Sequence, residues 1–123
     1  MKIKKMTSLQ QPQMTPLPDH EFFEALLLKQ QDERLKQIPT YAVVYFTASW
    51  CGACKRLNLP AIVGAFPQVT FYKCDVDENS YTLGYCGARS IPTFVAIQRG
   101  QLAGTLSNSN TEAVQEWLKS ILK

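Results

Sequence analysis

The sequence predicts an α/β fold in which a central mixed β-sheet is flanked by helices, preceded by a short mobile N-terminal arm over residues 1–18. Three observations carry that expectation. Tyr41-Ala42-Val43-Val44-Tyr45-Phe46 is an unbroken β-branched and aromatic run without polar alternation, as in a strand buried on both faces. A tight turn, a helical pattern and a second strand follow it, which makes a βαβ unit, and a right-handed crossover sets its two strands parallel. Further along, two strand-like runs are separated only by Arg99-Gly100-Gln101, short enough for an antiparallel hairpin.

Taken in order, the arm carries Lys2, Lys4 and Lys5, no acid, and Pro12, Pro16 and Pro18. It lacks the continuous apolar segment of a secretory signal and the Arg-rich amphipathic pattern of a presequence. The folded domain is expected over 19–123. Asp19 can cap a first helix whose apolar residues Phe22, Phe23, Leu26 and Leu27 fall at helical spacing. After the buried strand, Trp50-Cys51-Gly52 breaks the run. Helical spacing resumes over 53–66 through Leu57, Leu59, Ile62 and Val63, with Pro60 read as a kink. Pro67 stops that helix, 69–75 reads as the second strand, and Asp75-Val76-Asp77 as its turn. A short helix over 79–84 leads to the hairpin strands, 93–98 and 102–107. The last helix, 111–122, gathers Val114, Trp117, Leu118 and Ile121 on one face, with Asn110 or Thr111 as cap.

Composition narrows the function. A chain of 123 residues with 46% apolar content can bury one real core. The net charge of +3, from 13 basic and 10 acidic side chains, is too small and too scattered for a nucleic-acid surface. No apolar stretch approaches the ~20 residues of a membrane span. The four cysteines, at 51, 54, 74 and 86, are not needed as a disulfide framework in a chain with its own core. A reducing intracellular setting is expected, cytoplasmic rather than mitochondrial.

The chemistry lies in Cys51-Gly52-Ala53-Cys54. A thiol attacks a disulfide only as its thiolate, so an active cysteine needs surroundings that stabilise negative charge and leave the sulfur reachable. Cys51 is placed at a strand-to-helix junction, where unpaired N–H groups and the helix dipole favour an anion and Lys55 and Arg56 follow closely. Cys54, one turn further in, can resolve a mixed disulfide formed on Cys51. A zinc site would need a second close pair, and Cys74 and Cys86 are twelve apart, with the single histidine, His20, remote from the Cys51–Cys54 pair. A structural disulfide closing so short a loop would constrain the unfolded chain little. Cys74 reads as a small buried hydrophobe and Cys86 as inert.

Trp50-Cys51-Gly52-Ala53-Cys54-Lys55, Asp75-Val76-Asp77, Ile91-Pro92-Thr93 and Gly100 together resemble the thioredoxin family, over about residues 22–123. The resemblance implies a thioredoxin fold and a protein-disulfide reductase that uses no bound cofactor and no metal. Its partners would be disulfide-bearing proteins and a separate reductase such as a thioredoxin reductase, without nucleic acid or membrane. It implies a cis bond before Pro92 facing Cys51, a substrate strand paired to the Ile91 backbone, and a groove formed with Trp50, Gly52 and Ala53. Four departures stand out. Tyr45 replaces the family's buried aspartate while Lys73, that acid's usual partner, is present, so both residues are expected to tune the site and resolution by Cys54 to be slower. Ala53 replaces a proline, Asn108 a groove glycine, and Pro60 comes one residue late. Tyr45 and the basic arm also admit a second reading, a thioredoxin-fold subunit that binds within a larger assembly with little redox turnover.

Overall fold

Strand β2 (Tyr41–Thr47) is the axis of the molecule, and its residues show why. Successive side chains leave a strand on opposite faces. Val44 and Phe46 therefore enter one core, and Val43 and Tyr45 the other, each essentially without solvent contact. The computed structural model describes residues 13–122. Around β2 the chain sets β1 (Thr15–Pro16), α1 (His20–Leu26), α2 (Leu59–Ala65), β3 (Thr70–Asp75), α3 (Tyr81–Tyr85), β4 (Thr93–Gln98), β5 (Gln101–Ser107) and α4 (Thr111–Ile121). The sheet order is β1-β3-β2-β4-β5. The pairs β1/β3 and β3/β2 are parallel, and β2/β4 and β4/β5 antiparallel, giving the mixed sheet expected.

Helices cover both faces. Phe22, Phe23 and Leu26 of α1 and Leu83 of α3 pack on Val44, Phe46, Tyr72 and Val95. Ile62 of α2 and Val114 and Leu118 of α4 pack on Val43, Tyr45, Phe71 and Phe94. Each such side chain contributes about 2 kcal/mol when fully removed from water. The caps read from sequence form: Asp19 Oδ1 accepts from the Phe22 N–H at 3.0 Å, and Asn110 Oδ1 from the Ala113 N–H at 2.8 Å.

Two expectations are corrected. The arm expected over 1–18 is not free at its end: Thr15 pairs with Tyr72, Pro16 with Lys73, and the Leu17 N–H donates to the Lys73 carbonyl at 2.8 Å. Leu17 is buried in the same core as Phe22, which anchors the segment, and an edge strand tolerates the donor that Pro16 lacks. Residues 1–12 of that expectation lie outside the described residues. The single kinked helix over 53–66 is instead two pieces. A 3₁₀ turn, Cys54–Arg56, gives way to extended backbone at Leu57 (ψ 139°), and Asn58 then starts α2 by accepting from the Ala61 N–H at 3.1 Å. Pro60 explains the break. Inside a continuous helix it would remove a bond and clash with the preceding turn, at about 3 kcal/mol. In the first turn of α2 its missing N–H costs nothing.

The hairpin closes more tightly than read, because β5 begins at Gln101. Only Arg99 (φ 51°) and Gly100 (φ 79°) form its tip, the paired positive φ values of a two-residue turn. A Cβ on Gly100 would run into the Leu28 side chain, but Leu28 is 59% exposed and can swing aside. Backbone strain therefore dominates. Gly100→Ala is expected to lower stability by about 1 kcal/mol, read as a shift of the urea midpoint at unchanged slope. An unshifted midpoint would show the turn to be unstrained by a side chain.

Candidate active site

Strand register collects the candidate residues at one end of the sheet. Thr47, the last residue of β2, lies beside Asp75, the last of β3. Phe46 pairs with Thr93, the first residue of β4, and Thr93 pairs with Ser107, the last of β5. The segments following β2, β3 and β5 and the one preceding β4 thus share an edge, where parallel sheets present their ligand sites. The Ile91-Pro92 bond is cis, as the resemblance implies. A backbone bond from the Val76 N–H to the Thr47 carbonyl, 2.9 Å, ties two of these loops together.

Cys51 and Cys54 form a disulfide with Cα atoms 5.3 Å apart, inside the usual range for such a bridge. Ala48, Ala53, Val76 and Ile91 surround it with apolar contacts. The Cys51 N–H donates to the Ala48 carbonyl at 3.1 Å, and the Cys54 N–H donates to Cys51 Sγ at 3.1 Å. Two parts of the sequence reading change. The helix following Cys51 is a single 3₁₀ turn, so a long helix dipole gives way to that one directed N–H. Nor is Cys51 openly exposed: it retains 4% of its surface and Cys54 6%, because the loops carrying Val76 and Ile91 close over the bridge. Lys55 and Arg56 face solvent.

Trp50 is 65% exposed beside the disulfide, and its indole N–H donates to the Asp77 carboxylate at 2.9 Å. Asp77 is itself held, its N–H donating to Asp75 Oδ1 at 2.9 Å. Gly52 is exposed next to it. The exposed ring of Trp50 is tethered by its one polar atom, whereas Trp117 of α4 packs over Gly104 and the core.

Among the described residues no hydrogen bond joins Tyr45 or Lys73 to the cysteines. Tyr45 keeps 1% of its surface, stacks on Phe94 at 4.9 Å between centroids, and donates its hydroxyl proton to Thr47 Oγ1 at 3.2 Å. Burial pushes its pKa upward, which leaves it no base. Lys73 is its register partner on β3 but is exposed beside Met14, Leu59 and Pro60. Cys74 and Cys86 are free thiols packed into the α1/α3 core. Burial pushes Cys74 up to about 12 and Cys86 up to about 11, so both are poor nucleophiles. Sequence reasoning missed the walls Ala48 and Val76, the Asp77 anchor, and the serines around Pro92. Their only local signal is a position at strand ends next to the motif.

A family model for thioredoxin matches residues 23–120. The chain belongs to the thioredoxin family. It is 36% identical over 97 residues to mitochondrial thioredoxin-3 of Saccharomyces cerevisiae, covering 77% of this chain and 70% of that one. It is 38% identical over 92 residues to the thioredoxin of Geodia cydonium, covering 72% and 87%. The crystal structure of the oxidized yeast mitochondrial thioredoxin 3 superposes with a TM-score of 0.73 at 34% identity, over 88% of this chain and 95% of that one. The chain is a dithiol–disulfide oxidoreductase, a protein-disulfide reductase whose redox pair is the Cys-Gly-Ala-Cys motif. Membership implies disulfide-bearing protein substrates and a reductase that restores the dithiol.

Proposed function

We propose that Cys51 is the attacking thiol and Cys54 the resolving one. The carrying observation is the one-way hydrogen bond from the Cys54 N–H to Cys51 Sγ, 3.1 Å, a donor already aimed at the sulfur that must bear negative charge. In the dithiol, a Cys51 thiolate attacks one sulfur of a substrate disulfide, and the other sulfur leaves as a thiolate that takes a proton. Cys54 then attacks Cys51 Sγ and the second substrate thiol departs, so two electrons pass to the substrate and the Cys51–Cys54 disulfide remains. With Tyr45 no base, the proton of Cys54 goes to water or to the departing thiolate.

On this reading Trp50, Gly52 and Ala53 contact the substrate, and the Ile91 backbone beside cis-Pro92 pairs with an extended segment carrying the disulfide. Tyr45 and Lys73 act through packing rather than chemistry. The setting is a reducing intracellular compartment, and a separate reductase such as a thioredoxin reductase closes the cycle. The cytoplasm read from sequence stands against the mitochondrial address of the yeast relative, and fractionation of the tagged protein decides between them.

Limiting iodoacetamide at mildly acidic pH is expected to label Cys51 first on the reduced protein, with Cys74 and Cys86 unmodified. Earlier labelling of Cys54 or Cys86 would reverse the assignment. Insulin reduction with a chemical reductant tests turnover itself: a folded protein that leaves insulin intact would favour the binding-subunit reading.

A further inference from the structure

Asp77 tethers Trp50, and what holds Asp77 lies away from the cysteines, in the turn between β3 and α3. The turn closes where the Glu78 and Asn79 N–H groups both donate to the Asp75 carbonyl at 3.0 Å, while the Asp77 N–H donates to Asp75 Oδ1. Its far end is fixed by one side chain. Asn79 Oδ1 accepts from the Thr82 N–H at 3.2 Å, and Asn79 Nδ2 donates to Thr82 Oγ1 at 2.8 Å. A backbone N–H can only donate, which forces this orientation of the amide. Ser80, next to α3, makes no side-chain cap bond, so the cap of that five-residue helix comes from Asn79. Thr82 is fully buried, and its hydroxyl also bonds His20 Nδ1 of α1 at 2.9 Å. The His20 ring is held in turn through Nε2, 3.2 Å from Glu24 Oε2.

Hydrogen bonds therefore run without a gap from α1 through Thr82, Asn79, Asp75 and Asp77 to the indole of Trp50. Trp50 is the one hydrogen-bond partner of the Asp77 carboxylate among the described residues, and an exposed ring tied at a single point follows that point. We propose that Asn79 is a positioning residue for the redox reaction: by joining the Asp75–Asn79 turn to the buried Thr82–His20 pair, it sets where Asp77 holds the Trp50 ring. The proposal rests on the reading above in which Trp50 contacts the substrate. It concerns recognition of a protein substrate rather than thiol chemistry, because the hydrogen bond on Cys51 Sγ comes from the Cys54 N–H and does not involve Asn79.

The test compares the full chain with Asn79→Ala and Asn79→Ser. The indole N–H resonance of Trp50, assigned by its loss in Trp50→Ala, reports the tether. In Asn79→Ala it is expected to shift toward free indole and to exchange faster with water. The KM for insulin, with dithiothreitol as reductant, should rise roughly fivefold at nearly constant kcat, the scale of ordering one side chain on binding. The rate at which the reduced protein cleaves the small disulfide dithiobis(nitrobenzoate) should stay the same. Asn79→Ser keeps an acceptor for the Thr82 N–H and should restore both the resonance and the KM. If Asn79→Ala does not fold, Asn79→Gly, a residue that helix starts tolerate, is read in the same way. An unmoved Trp50 resonance, or a small-disulfide rate that falls as far as the insulin rate, would overturn the positioning role. A Trp50→Ala protein with the parent's insulin KM would remove the substrate contact, and a parent that cleaves neither disulfide would remove the redox reading; either takes the proposal with it.

Discussion

Cys54→Ser is expected to turn the protein from a catalyst into a trap. Without the resolving thiol, the mixed disulfide on Cys51 has no neighbouring sulfur to expel the substrate, and multiple turnover falls to background while the first attack survives. Cys51→Ser should lose the attack itself and capture almost nothing, because Cys54 lacks the directed N–H that Cys51 receives at 3.1 Å. Both variants should fold, since serine is nearly isosteric and the pocket of Ala48, Ala53, Val76 and Ile91 remains. Non-reducing gels of lysate passed over each immobilised variant read the outcome. Dithiothreitol-released proteins are expected from Cys54→Ser alone, and equal capture by the two variants would end the division of roles.

The largest stability effect is expected from Tyr45→Asp. Removing the ring that stacks on Phe94 between the sheet and helices α2 and α4 leaves a cavity worth about 3–5 kcal/mol, by comparison with other buried aromatic truncations. That is a large part of the ~5–15 kcal/mol that holds a domain together. A carboxylate is introduced there as well, and Lys73 on the neighbouring strand is turned to solvent rather than held against it. Burial raises the folded-state pKa of such a group above its unfolded value of about 3.9. With the folded value raised, the variant is at its best below the unfolded pKa and loses stability as pH climbs through the folded one. The gap in urea midpoint between parent and variant should therefore widen from about pH 5 to about pH 8. A gap independent of pH would mean that the carboxylate reaches water or draws Lys73 inward. Tyr45→Phe, which loses only the bond to Thr47, should cost about 1 kcal/mol.

Elements whose evidence is local were legible in the chain. The two-faced burial of β2 follows from its unbroken apolar run, α1 and α4 from an Asp or Asn cap placed before helical spacing, and the hairpin from the short gap containing Gly100. The spacing of Cys51 and Cys54 announced the chemistry for the same reason, since two thiols three residues apart need no distant partner to meet. Pro60 marks the break before α2 in the sequence, but a cap at Asn58 outcompetes a kink only because Ala61 has a donor to give it.

What needed the tertiary structure depends on residues far apart in the chain. Register between β2, β3, β4 and β5 decides that Asp77 arrives at Trp50, Ile91 at the disulfide and Ser107–109 at Ala53, and register is set by the summed packing of both sheet faces rather than by any one segment. The anchoring of β1 depends on Leu17 finding the α1 core. The covering of the disulfide and the withdrawal of Tyr45 to Thr47 are likewise properties of assembled neighbours. By itself the sequence determined the strands, the caps and the reacting pair, because periodicity and spacing act within a few residues. Only the folded chain decided which side chains surround that pair, because packing joins residues that sequence keeps far apart.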